Sequence, residues 1–206
     1  MRPPLFRLCM LISRKSCTSD PINLITAAVS GGVDCVQLRE KALDSRDFFA
    51  WGEEIRQHCA DLGIKLVVND NVEVAIALSA DGVHLGQDDM HPEDARRLVG
   101  EEMWIGWSTH NLEQLDEAAE LGVNYAGFGP VFATATKDYP QGMGAEHLAA
   151  GLAVARVPLV AIGGITPDNC WMIPEQCAIA ASSSLCGSDD PARSARSLNG
   201  RSLEPH

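Results

Sequence analysis

A chain of 206 residues with 46% hydrophobic content and a formal charge of −12 can bury one substantial core and is short for two domains. The acidic balance speaks against a nucleic-acid or anionic-membrane surface, since both need a broad basic face, and leaves small molecules as partners. Seven cysteines at 9, 17, 35, 59, 170, 177 and 186 show no CxxC or other metal spacing, a set that suits reduced thiols in a cytoplasmic protein. No segment approaches the roughly 20 apolar residues of a membrane span.

The opening residues have a faint look of a secretion signal, but Arg7 interrupts the apolar run, which reads as a first strand, Leu8–Ser13. Asp20-Pro21 then opens a helix toward Ser30, with Asp20 as cap and Pro21 at its first position. Cys35–Leu38 is the second strand, and Asp44 or Ser45 caps a long amphipathic helix through Phe48, Phe49, Ile55 and Cys59. Lys65–Val68 predicts strand three, Val72–Leu78 a short helix, Gly82–Leu85 strand four and Pro92–Val99 a helix. Strand five is expected at Trp104–Trp107, with Asn111 capping Leu112–Leu121. Strand six is Tyr125–Phe128, and a long loop then reaches a helix near Ala145–Ala155. Pro158–Ile162 predicts strand seven and Thr166-Pro167 the start of another helix. Strand eight would fall near Ala178–Ser182, and Pro191–Leu198 forms the last helix. Only the serine- and arginine-rich end, Ser194–His206, looks set to fray.

Eight strand–helix units in one chain of this length are the pattern of a single-domain (β/α)8 TIM barrel over 1–206. Doubly wound sheets alternate in the same way, but no glycine-rich dinucleotide turn follows the first strand. In a barrel the chemistry lies in the loops after the C-terminal strand ends, and polar residues gather there. Gln37, Arg39 and Lys41 leave strand two on one side, with Val36 and Leu38 on the other. Either this is a solvated strand end, or these groups face something anionic, because placing them inward is otherwise costly. Asn69-Asp70 either caps the next helix or joins Asp88-Asp89 of the adjacent loop in holding a metal. Carboxylates from two loops plus waters and a substrate phosphate are a usual seat for Mg2+, with Asp70 and Asp89 as the ligands and Asp88 as turn chemistry. Ser108-Thr109-His110 ends strand five. His84 reads as an interior histidine, while His110 lies beside the site. Thr134, Thr136 and Lys137 occupy a long loop that suits either oxyanion binding or simple flexibility. Gly163-Gly164 offers open N–H groups as a phosphate seat.

These residues carry a resemblance. VQLREK (36–41), VVND (67–70), DGVHLGQDD (81–89), IGWSTH (105–110), YAGFGPVFATATK (125–137) and VAIGGITPDN (160–169) together resemble the thiamine phosphate synthase family, in that family's order. The resemblance implies a (β/α)8 barrel that joins a hydroxymethylpyrimidine diphosphate to a thiazole phosphate and releases pyrophosphate, by a dissociative path. By position it implies that Gln37, Arg39, Lys41, Asn69, Ser108 and Lys137, with Leu38 and Glu40 of the same stretch, bind the pyrimidine diphosphate. It likewise puts Mg2+ on Asp70 and Asp89, and the thiazole phosphate on Thr134, Thr136 and Gly164. Arg39, Lys41 and Lys137 would neutralise the leaving pyrophosphate.

The resemblance fails at the C-terminus. Residues 170–183 lack the family's glycine turn and carry Pro174 where a helix should continue, so strand eight is the weakest expectation. Ser182 and Ser183 fall at the family's remaining phosphate-contact positions. A thiazole tautomerase-like paralogue and a non-catalytic phosphate-ligand-binding barrel, its closure compromised, stay open as alternatives. The paired aspartates favour the synthase.

Overall fold

The protein is described here by a computed structural model, covering residues 5–134 and 142–201. Eight short apolar runs form β1 (Leu8–Ile12), β2 (Cys35–Leu38), β3 (Lys65–Asn69), β4 (Gly82–Leu85), β5 (Trp104–Thr109), β6 (Tyr125–Phe128), β7 (Leu159–Ile162) and β8 (Ala178–Ala181). They pair in parallel in chain order and close into a barrel. The helices are α1 (Pro21–Ser30), α2 (Ser45–Leu62), α3 (Val72–Ala77), α4 (Pro92–Val99), α5 (Leu112–Glu120), α6 (Ala145–Val154), α7 (Ser183–Cys186) and α8 (Pro191–Gly200). The expected single (β/α)8 barrel is the observed architecture.

Side-chain caps start several of the helices. Asp20, Asp44, Asn71 and Asn111 each accept the backbone N–H three residues on, which satisfies donors that a helix start leaves open. The two-residue alternation of the strands sorts the core into two layers. Cys9, Cys35, Val67, Tyr125, Val160 and Ala178 point into the barrel, while Met10, Val36, Val68, Val83 and Ile179 pack outward under the helices. Gln37 therefore faces inward between Val36 and Leu38, as the alternation predicts.

Strand eight forms. Its register matches Leu8 with Ile179 and Cys9 with Ala180 on one side, and Val160 with Ala178 and Ile162 with Ala180 on the other. Both ladders are complete, so the non-catalytic reading loses its premise of a broken barrel. The helix expected from Thr166-Pro167 does not form; a single 3-10 turn, Cys170–Met172, replaces it. Asn169 folds back there, accepting from Thr166 N (2.8 Å) and donating to Gly164 O (2.9 Å), and Pro174 excludes further helix. Cys170, Ile173 and Cys177 are buried and cover the core that a helix would have covered.

The tail expected to fray from Ser194 also needs correcting. Residues 194–200 lie in α8, where Ala195 and Leu198 are wholly buried. Gly31 lets α8 approach α1, because a β-carbon there would collide with the Ala192 carbonyl. Arg201 then ends the helix and donates from Nη1 to Pro174 O at 2.7 Å. Residues 202–206 lie outside the described part.

Candidate active site

At the C-terminal ends of the strands opens a cavity of about 140 Å³, far above the roughly 15 Å³ that one water needs. Gln37 from β2 and Asn69 from β3 line it, 5% and 9% exposed, and neither side-chain amide has a partner among the described residues. Buried amides are normally hydrogen-bonded, so this pair is poised for a polar ligand. Arg39 also lines the cavity and has no ion-pair partner among the described residues. The structure thus brings these three predicted residues to one cavity.

The rest of that stretch divides. Leu38 is wholly buried in the layer beneath the helices, so its side chain does not reach the cavity. Glu40 holds the loop instead, accepting from Arg14 N (3.0 Å) and Ala42 N (3.2 Å). Lys41 lies beside the cavity rather than in its wall and pairs with Asp70, Nζ to Oδ2 at 3.4 Å.

Asp70 follows β3 with a left-handed backbone, φ 66°, and donates its N–H to His84 O at 2.8 Å. Burial first, then the neighbouring Asp89 carboxylate, pushes its carboxyl up to about 6, against the pull of Lys41. The two aspartates predicted as a pair are thus brought together. Asp89 Oδ2 also accepts Gly86 N at 2.7 Å; Asp88 and Asp89 are both exposed. No group of three or more His, Cys, Asp or Glu side chains fit to hold a metal occurs among the described residues. Two carboxylates that repel each other nonetheless fit a hard divalent cation that keeps waters and takes the rest of its shell from phosphate, the habit of Mg2+.

The opposite wall is mostly backbone and hydroxyl. Gly163 (φ 99°) and Gly164 (φ 61°) follow β7. A β-carbon on either would collide with the 130–133 loop, on Pro130 and on the Ala133 carbonyl. That loop is laced to β7 through Val131 N to Ile162 O (2.9 Å) and Phe132 N to Gly163 O (3.0 Å). Thr134, Ser182 and Ser183 line the cavity beside them. Thr136 and Lys137 lie outside the described residues.

The floor holds a feature that the sequence reading underrated. His84 from β4 is 8% exposed and lines the cavity, with Nδ1 3.1 Å from Tyr125 Oη and Nε2 2.9 Å from Ser108 Oγ. It is interior, as expected, yet it ends on a predicted ligand-binding serine. His110 also lines the wall, its Nδ1 2.6 Å from Gly129 O. Gln114 was missed altogether, and Gln87, part of the polar end of strand four, was given no role. Gln87 Nε2 donates to Ser108 O (2.6 Å), Gln114 Nε2 to Gln87 Oε1 (3.1 Å), and Gln114 Oε1 accepts His110 N (2.7 Å). Ser13 and Ser16 beyond β1 and the buried Thr109 also line the cavity; nothing in the spacing of the two serines marks them out.

The family model described as thiamine monophosphate synthase matches residues 8–184. The chain belongs to this family. The match runs through β8 and Ser182-Ser183, so the divergent segment at 170–177 lies within it. Among curated synthases, the thiamine-phosphate synthase of Albidiferax ferrireducens is 46% identical over 172 residues, covering 82% of this chain and 78% of that protein. Thiamine-phosphate synthase 1 of Aquifex aeolicus is 38% identical over 184 residues, covering 87% and 84%. Thiamine phosphate pyrophosphorylase from Pyrococcus furiosus superposes with a TM-score of 0.85 at 30% identity, over 95% of both chains. A likeness to 3-hexulose-6-phosphate synthase from Salmonella typhimurium, TM-score 0.71 at 13% identity, is one of fold alone. No described helix is long and apolar enough to cross a membrane.

Proposed function

We infer that this barrel acts as a thiamine-phosphate synthase. It would join 4-amino-2-methyl-5-hydroxymethylpyrimidine diphosphate to a thiazole phosphate, giving thiamine phosphate and pyrophosphate. One observation carries the reading beyond family membership: the two sides of one cavity have opposite chemistry. On one side a guanidinium and two buried amides, all without a side-chain partner among the described residues, stand near a carboxylate pair. On the other, glycine backbone and hydroxyls present neutral donors. The first suits a diphosphate with a bridging cation; the second suits a monophosphate.

In the reaction the C–O bond between the pyrimidine methylene and the diphosphate breaks, and the pyrophosphate leaves with the electron pair. The thiazole nitrogen supplies its own lone pair to form the new C–N bond. No protein nucleophile is required, so the residues act by placement and charge. Gln37 and Asn69 would orient the aminopyrimidine end, and Arg39 would neutralise the departing pyrophosphate, the electrostatic term that usually dominates such catalysis. Lys41 would complement it while balancing Asp70. Asp70 and Asp89 would hold Mg2+, which when bound supplies charge neutralisation at the phosphate oxygens. Gly164, Ser182, Ser183 and Thr134 would seat the thiazole phosphate. The carboxylate pair also favours this reading over a tautomerase, a reaction with no diphosphate to neutralise.

A turnover assay with both substrates tests the proposal. Thiamine phosphate and pyrophosphate should form in equal amounts with Mg2+, and formation should stop on complete chelation of divalent ions. Full turnover in the chelator would remove the metal from the mechanism, and absence of product with Mg2+ would remove the activity.

A further inference from the structure

We propose that Tyr125 and His84 form a polarity relay that fixes Ser108 as a hydrogen-bond donor into the cavity, so that the ligand atom at Ser108 must be an acceptor. The inference rests on the function proposed above for its ligand, a pyrimidine diphosphate, and on hydrogen-bond direction for the rest.

Tyr125 begins β6 with its ring inside the barrel, 2% exposed, packed edge-on against Phe6 at 5.4 Å. Burial holds its hydroxyl well above the usual phenol range, so it carries its proton. A buried hydroxyl needs an acceptor, and His84 Nδ1 at 3.1 Å is the one that the described residues provide. Tyr125 therefore donates to Nδ1, and that lone pair is used. In a neutral imidazole the ring proton then belongs on Nε2, from which it is donated to Ser108 Oγ at 2.9 Å.

A serine hydroxyl ordinarily turns to suit its partner. Here Ser108 Oγ already accepts from the ring, and no other protein acceptor for its own proton occurs among the described residues. Its O–H points into the cavity. The ring is held at both nitrogens, by Tyr125 and by Ser108, and glycines on the neighbouring strands leave room for it there. A β-carbon at Gly106 would overlap both the Tyr125 ring and His84, and one at Gly127 would stand 3.1 Å from His84 Cε1. Gln87 also ties down the Ser108 carbonyl at 2.6 Å, which fixes the serine backbone. A ligand amino group placed at Ser108 would meet donor with donor. The position accepts a diphosphate oxygen or a pyrimidine ring nitrogen, and the exocyclic amine is directed elsewhere. His84 and Tyr125 are positioning residues, acting through Ser108.

The test uses the full chain. Imidazole ¹⁵N–¹H spectra of the wild type should show His84 protonated on Nε2 alone, and Tyr125→Phe, which keeps the ring, should lose that preference. The same variant should raise KM for the pyrimidine diphosphate on the order of tenfold, the value of about 1.4 kcal/mol typical of one hydrogen bond. KM for the thiazole phosphate should stay unchanged. In the double variant Tyr125→Phe with Ser108→Ala, the effect of Tyr125→Phe should vanish, since the relay would have nothing left to orient. Inhibition by the pyrimidine alcohol, which lacks the diphosphate, identifies the acceptor: weakened by Tyr125→Phe, it is the ring nitrogen; unaffected, it is a phosphate oxygen. Wild-type His84 protonated on Nδ1, or additive effects in the double variant, would overturn the relay. The spectra need no turnover, so failure of the proposed activity and failure of the relay are separable.

Discussion

Replacing Asp70 with asparagine should make the metal-free protein more stable while removing its activity. The Asp70 carboxyl is pushed from 3.8 to about 6 by burial and by Asp89, with Lys41 at 3.4 Å offsetting only part. Two units correspond to about 3 kcal/mol for a fully buried group at 1.36 kcal/mol per unit. The side chain is 27% exposed, and solvent screening lowers the expected gain to about 1 kcal/mol. For a chain of this size that is a rise of roughly 2–4 °C in Tm. A carboxyl raised in the folded state penalises folding fully above its folded value, and the penalty fades as pH falls toward the unfolded 3.8. The gain should therefore be complete at pH 7.5 and fall to about half at pH 5. Asparagine also tolerates the left-handed backbone at φ 66°, but that contribution is independent of pH, so the slope isolates the charge. Thermal melts in chelator at the two pH values measure it. Added Mg2+ should then raise Tm for the wild type and not for the variant. A variant less stable than the wild type at pH 7.5, or a gain equal at both pH values, would refute the reasoning.

Arg39→Gln should slow single-turnover product formation by about 30- to 1000-fold, the loss of some 2–4 kcal/mol of transition-state stabilisation. Tm should not move, because Arg39 has no ion pair among the described residues to lose; a large drop in Tm would make it a structural residue. Gly164→Ala forces a side chain onto φ 61° and against the Ala133 carbonyl, so it should cost about 1–3 kcal/mol in stability. It should also raise KM for the thiazole phosphate well before KM for the pyrimidine diphosphate. Equal effects on both would place Gly164 outside the monophosphate seat.

What the sequence revealed followed from periodicity and from strand ends. The first seven strands were legible because most of the apolar runs were bounded by a cap, a glycine or a proline, as at Asp44, Gly63 and Pro158, and Gln37 could be placed inward by alternation alone. The carboxylate pair was legible because Asp70 and Asp89 follow neighbouring strands. What escaped was decided by tertiary contact. Gln114 is one polar residue at a helical start, and only folding brings it to Gln87, 27 positions away in the chain. Glu40 and Lys41 share the charged run of Arg39, but beyond the end of β2 the chain leaves the barrel. Glu40 is spent on the Arg14 and Ala42 amides and Lys41 on Asp70.

Strand eight was hard to read for a reason that bears on the site. A strand is recognised by bulky β-branched or aromatic residues, and Ala178–Ala181 has one, Ile179, which packs outward. The other three are alanines, and Ala180 and Ala181 line the cavity beside Gly163 and Gly164. Larger residues at 180 and 181 would have announced the strand and filled the space that the ligand needs. Loss of side-chain packing is offset by ladders to both β1 and β7, which need no side chain, and by Ile173 and Cys177 beneath them. The small residues that weaken the sequence signal are thus the ones that leave room at Ser182 and Ser183. On this argument Ala180→Val should leave the barrel folded, since its backbone pairing is untouched, while crowding the monophosphate side. Its KM for the thiazole phosphate should rise and its Tm should hold. A fall in Tm with KM unchanged would mean that the alanines are there for packing alone.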